Sequence, residues 1–205
     1  MKHIIKPALS LFAIAAIVTA LLGMARNLTL EPIEKQRKAA QEKTMRAVLT
    51  EADNFRELSA EKTGGINRIF EGLRGSETIG YVVELSPVGY SGEINMMVGI
   101  SKAEDKITGM RVVKHTETPG LGALAVNENF YRQFDGRKLL PLRVVRTSPG
   151  ADDIEAITAA TITSRAVTSA VNEAIEWYTM AADQPPLNLS NRARPEGTNK
   201  GGGLK

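Results

Sequence analysis

The sequence predicts an α+β fold: a single N-terminal transmembrane helix followed by one extracytoplasmic domain with a mainly antiparallel sheet and flanking helices. Three observations carry this reading. A long uncharged run opens the chain, β-type runs gather in its middle, and helix-forming runs stand on either side of them. Strands gathered this way argue against alternating βαβ units.

Lys2 and Lys6 make residues 1–6 a basic start, read as cytoplasmic. From Pro7 through Ala25 no residue is charged. At about 1.5 Å per residue that run extends roughly 28 Å, close to the roughly 30 Å of a bilayer's hydrocarbon core, so 7–26 is read as a membrane anchor. The basic residues before the run place the N-terminus in the cytoplasm and everything after it outside. A cleavable signal peptide competes with this reading, because small residues at Gly23-Met24-Ala25 suit a cleavage site. Helix-compatible sequence continuing past Arg26 favours a retained anchor.

Residues 27–63 are read as a connecting helix, since good helix formers alternate there with Ile33, Ala40, Ala47, Val48 and Leu49 at near-helical spacing. Gly64-Gly65 ends that pattern and opens a domain over 64–184. Within it "TIGYVVEL", "EINMMVGIS", "ITGMRVVKH" and "KLLPLRVV" are strand-like, with "SKAEDK" as a turn between the second and third. "NENFYRQF" predicts a short helix capped by Asn127 or Asn129. The closing helix "SRAVTSAVNEAIEWYTMAA" sets Val167, Val171, Ala174, Ile175 and Tyr178 on one side. The tail over 185–205, with its "PP" and "KGGG", reads as flexible.

Composition narrows the chemistry. With no cysteine, thiolate iron–sulfur ligation, CxxCH haem attachment and disulfides are all removed. His3 and His115 are the only histidines, a poor supply for a metal site, and none is predicted. The net charge of +3 is matched by the stretch from Asn191 onward, so the remainder is formally neutral and offers no stripe for tracking nucleic acid. No nucleophile elbow or P-loop is present. An electron carrier built from this chain therefore needs an organic cofactor. His115 reads as a strand-end histidine rather than a proton donor, Trp177 and Tyr178 as packing, and the Met96-Met97 pair as core filler.

The conspicuous feature is a crowd of hydroxyls, Thr158, Thr161, Thr163, Ser164 and Thr168, at the start of the closing helix. A helix N-terminus carries unpaired N–H groups and about half a positive charge, which suits a phosphate. One such hydroxyl is an ordinary N-cap, and a capped turn in Thr-rich sequence is the plainer reading on the residues alone. Ala159 and Ala160 leave room for something to approach the backbone beside Thr161.

"TAATITS" resembles the flavinylation motif, Ser/Thr-Gly-Ala-Thr-x-Thr-Ser, of the FMN-binding domain family shared by the G subunit of the Rnf ferredoxin:NAD⁺ oxidoreductase and the C subunit of the sodium-pumping NADH:quinone reductase. The resemblance implies that FMN is esterified through its phosphate to Thr161, with Thr158, Ala160 and Thr163 completing the motif. Ala159 stands where the pattern has Gly, and Glu155 where an Asp is usual three residues before the leading Ser/Thr; Ala is the costlier choice if that position needs a positive φ. "HTETPGLG" resembles the family's Glu-Thr-Pro-Gly-Leu-Gly loop, and "GYSGEI" a glycine-rich segment ahead of a strand. They add Glu117, Thr118, Gly120, Leu121, Gly122 and Tyr90 as expected cofactor contacts. A Pro119-Gly120 turn can bring bare backbone close to a flat ring, with Leu121 over one face.

The family membership so implied is that of an electron-transfer subunit with covalent FMN and no catalytic residues of its own. It would be anchored in the bacterial inner membrane with its domain on the periplasmic side. Its partners would be the other membrane and peripheral subunits of the redox complex and, during maturation, a flavin transferase. The sodium-pumping relative is the near alternative; an anchored binding or assembly module without flavin is the more distant one.

Overall fold

The structure, a computed structural model, describes residues 2–58 and 64–182. The tail over 185–205 lies outside the described residues, as does part of the stretch read as a connecting helix. Two compact units make up the chain, Met1–Lys43 and Thr44–Lys205.

Helix α1 runs over Lys2–Val48. In the first unit Leu11, Phe12, Ile14, Ile17, Val18, Leu21, Leu22 and Met24 are all exposed. At 100° per residue these positions, together with the exposed Ile5 and Leu9, fall on every side of the helix. Among the described residues no helix is long and apolar enough to cross a membrane.

The second unit holds a five-stranded antiparallel meander: β1 (Asn54–Leu58), β2 (Ile66–Arg74), β3 (Glu77–Leu85), β4 (Ile94–Ser101) and β5 (Lys106–His115), in that spatial order. A short helix α2 (Glu128–Tyr131) starts after Asn127. A two-stranded parallel pair of β6 (Arg143–Val145) and β7 (Asp153–Glu155) leads to the closing helix α3 (Thr161–Ala182).

Three expectations change here. The helix predicted over 27–63 ends at Val48, and Asn54–Leu58 is an edge strand. The polar Thr50-Glu51-Ala52-Asp53-Asn54 segment turns the chain, and Phe55 then packs against the cluster around Phe70. The compact unit accordingly begins at Thr44 instead of 64. "KLLPLRVV" contributes only Arg143–Val145 to a strand, since Pro141 has no N–H to donate to a ladder.

Each face of the sheet has its own core. Met96 and Met97 are both fully buried, one in each, because consecutive strand residues point to opposite faces. On one face Val83, Leu85, Met96, Val98, Ile100 and Met110 meet Phe130, Phe134 and the predicted stripe of α3, which is buried throughout. Each large aliphatic side chain buried there contributes roughly 1.5–3 kcal/mol. On the other face Met45, Val48, Leu49 and Ala52 cover Phe70, Val82 and Met97. That approach is close because glycines pair beneath it, Gly72 opposite Gly80 and Gly99 opposite Gly109. A methyl group on Gly99 would overlap the carbonyl oxygen of Val48, to which Thr108 Oγ1 donates a hydrogen bond.

Candidate functional site

Three segments from distant parts of the second unit converge beside the start of α3. The first is the β3–β4 connection. Gly89 N donates to Gly92 O at 2.8 Å and Ile94 N to Pro87 O at 2.9 Å, which makes it a tight loop with Tyr90, 73% exposed, at its tip.

The second segment follows β5. Leu121 N donates to Thr118 O at 3.2 Å and Gly120 has φ +76°, the pattern of a type II turn with Pro119 leading. Glu117, just before it, is 5% exposed.

The third is the turn into α3. Ala160 N donates to Ile157 O at 2.9 Å, and Ala159 has φ +59°, so this alanine occupies a conformation that favours glycine. Ser164 N then donates to Ala160 O at 3.0 Å, the first bond of the helix ladder. Ser164 Oγ accepts from Ile157 N at 2.9 Å and donates to Ala160 O at 3.0 Å, knitting the turn to the helix. The N–H groups of Thr161, Ile162 and Thr163 belong to the first turn, where no carbonyl precedes them within the helix. That turn carries no acidic residue.

Together the segments enclose a cavity of about 400 Å³ lined by Tyr90, Glu117, Thr118, Leu121, Gly122, Ala159, Ala160, Thr161, Ile162 and Thr163. Eight of the ten predicted site residues are thus brought together, and two are not. Thr158 is exposed and does not line the cavity; Gly120 has open space around it and shapes the loop without lining the cavity. Sequence reasoning left out Ala159 and Ile162 as contacts. Ile162 carries no motif signal; a 55% exposed isoleucine in the first turn of a helix is visible only once the helix is placed. His115 ends β5 half-buried and does not line the cavity.

The polar geometry centres on Glu117. Thr163 Oγ1 donates to its Oε2 at 2.6 Å, and Ser91 N donates to its Oε1 at 2.8 Å. Thr163 is fully buried, whereas Thr161 is part-exposed at the opening of α3. The two threonines of "TITS" therefore differ: one is locked into the wall by Glu117, and the other lines the cavity part-exposed.

Residues 89–176 match the FMN-binding domain family, and residues 1–48 match the RnfG N-terminal region. The chain is 37% identical over 149 residues to the G subunit of the proton-translocating ferredoxin:NAD(+) oxidoreductase complex of Clostridium ljungdahlii, covering 72% of this chain and 77% of that one. It is 35% identical over 193 residues to the G subunit of the Na(+)-translocating ferredoxin:NAD(+) oxidoreductase complex of Acetobacterium woodii, covering 86% and 92%. The chain belongs to the RnfG family. This family's FMN-binding domain begins at the Gly89 loop and takes in all three segments of the cavity, ending within α3. The fold is also that of the C subunit of the Na(+)-translocating NADH-quinone reductase from Parabacteroides distasonis, at a TM-score of 0.55 and 18% identity over 76% of this chain and 98% of that one.

Proposed function

We propose that this chain is the flavin-carrying electron-transfer subunit of a membrane-bound, ion-translocating Rnf-type ferredoxin:NAD⁺ oxidoreductase, with FMN joined through its phosphate to Thr161 Oγ1. The observation that carries the reading is the placement of Thr161: it opens a 22-residue helix on the wall of the cavity, ahead of a first turn with no acidic side chain. A phosphate there gains about 0.3–1 kcal/mol from the helix dipole, and up to about 2 kcal/mol if partly buried.

The residues present fit the group. A cavity of about 400 Å³ lies within the range of ligand pockets, and its lining pairs apolar Tyr90, Leu121 and Ile162 with the hydroxyls of Thr161 and Thr163. Bound FMN supplies the reversible electron acceptor, which this sequence lacks in its own side chains. Thr161 would tether it, with Leu121 and Tyr90 available to cover its ring, Thr118 and Gly122 shaping the wall, and Ala159 and Ala160 leaving room for its phosphate. A tether keeps an exported cofactor at high effective concentration against dilution. The attachment requires a flavin transferase that breaks the pyrophosphate bond of FAD, joins the FMN phosphate to Thr161 Oγ1 with loss of the hydroxyl proton, and releases AMP. The left-handed Ala159 adopts the backbone that the motif's usual Gly adopts more cheaply, so the departure from the pattern is conformationally tolerated here.

The uncharged run from Pro7 through Ala25, apolar on every side, supports the membrane anchor. Lys2 and Lys6 favour a cytoplasmic N-terminus, leaving the domain on the extracytoplasmic side of the bacterial inner membrane. The other members of the redox complex are its partners.

The test is intact mass and peptide mapping after expression with a flavin transferase, for the parent and Thr161→Val. An FMN-sized addition on the Thr161 peptide, absent from the variant, is expected. An unmodified parent in the presence of active transferase would sink the reading and return the hydroxyls to helix capping.

A further inference from the structure

Glu117 is buried in the wall of the cavity, yet its hydrogen bonds come from two neutral donors, the Thr163 hydroxyl and the Ser91 amide. Each carboxyl oxygen accepts one of them. Space has been left for it on both sides. A methyl group on Gly89 would overlap Oε1, and one on Gly122 would overlap Oε2. Removing a charge from water is expensive, and an apolar residue of this volume would pack here at lower cost.

We infer that Glu117 is a positioning residue that clamps the Tyr90 loop to the first turn of α3 and, by its fixed negative charge, holds the bound flavin harder to reduce. This rests on the flavin reading of the cavity. The clamp follows from connectivity: the carboxylate joins Ser91, in the loop that carries Tyr90, to Thr163, two residues beyond Thr161. The tuning follows from Coulomb's law. A carboxylate in a partly desolvated wall disfavours each electron added nearby, and the nearby helix end offsets this only in part.

Glu117→Gln separates the two roles. The amide keeps the size, still accepts from Ser91 N, and donates to Thr163 Oγ1 where the carboxylate accepted, so only the charge is lost. Glu117→Ala removes the clamp as well.

Three measurements on the full chain decide it. Flavin incorporation by mass is read first and tests the parent reading alone. Redox titration of the flavinylated Glu117→Gln variant is expected to favour the reduced form about tenfold over the parent, or about 30 mV for a two-electron couple. Hydrogen exchange at Ser91, read without flavin, is expected to accelerate at least about tenfold in Glu117→Ala and to stay near the parent rate in Glu117→Gln. An unchanged redox titration in a folded, flavinylated Gln variant overturns the electrostatic role. Unchanged Ser91 exchange in the Ala variant overturns the clamp. If Glu117→Gln alone fails to take up flavin while its Ser91 exchange stays at the parent rate, the charge acts in attachment and the inference is wrong as stated.

Discussion

The last turn of α1 and the first turn of α3 are both helix ends set against the second unit's core, and they are finished in opposite ways. At the end of α1 the Val48 carbonyl is taken by the Thr108 hydroxyl, and the backbone is pressed onto glycines of the sheet. At the start of α3 the side chains of Thr163 and Ser164 are buried and bonded, but the first-turn N–H groups beside Thr161 border a cavity. A helix terminus leaves backbone groups without intrahelical partners. Where tertiary contacts take them, the end becomes a joint; where they border a cavity, they stay open to a ligand.

The comparison can be broken hardest at Gly99. Gly99→Val would drive a branched side chain into the Val48 carbonyl and Thr108, with a loss of about 3 kcal/mol in chemical denaturation. The variant that still folds should take up flavin as the parent does, because the glycine lies on the face away from the cavity. Loss of flavin in a folded Gly99→Val protein would show that the two helix ends are coupled.

Tyr178 tests the far end of α3. It packs with Tyr81 and donates to Asp105 Oδ1 at 3.0 Å. Burial, then the bond to Asp105, pushes its phenol up from 10.0 to about 12. A folded-state pKa above the unfolded value contributes stability that is complete below about pH 10 and is lost as pH rises through about 12. Tyr178→Phe should cost about 0.5–1.5 kcal/mol at neutral pH, and its stability should fall less steeply than the parent's across that alkaline window. An identical alkaline slope would contradict the assignment.

The smallest effect is expected at Ala159. Ala159→Gly relieves a left-handed alanine and should raise stability by no more than about 1 kcal/mol. It sharpens the comparison because it acts only at the open end: flavinylation should be at least as fast as in the parent. A slower reaction would mean that the methyl group of Ala159 contacts the flavin or its transferase productively.

Much of this was legible in the residues. The buried stripe of α3 follows from its period, strands β3 to β5 from their β-branched runs, and the turn at Pro119-Gly120 from residues that have few other uses. Eight cavity residues were named from motifs whose local chemistry travels with them. The misses have a common cause. Strands β1 and β2 lie where local composition is mixed, with Arg56, Glu57, Arg68 and Glu71 among their residues, and they are strands because they pair with each other and with β3.

What the sequence by itself determined, then, is the closing helix, strands β3 to β5 and the turn at Pro119-Gly120, and which hydroxyl stands at the opening of the closing helix. Only the tertiary structure decided that Thr158 stays outside the cavity while Ala159 and Ile162 line it, that four glycines admit the end of α1 to the sheet, and that Glu117 joins the Ser91 loop to Thr163. Local preference is written residue by residue along the chain. Contacts such as Thr163 with Glu117, or Thr108 with Val48, join residues far apart in sequence and exist only once the sheet has set their register.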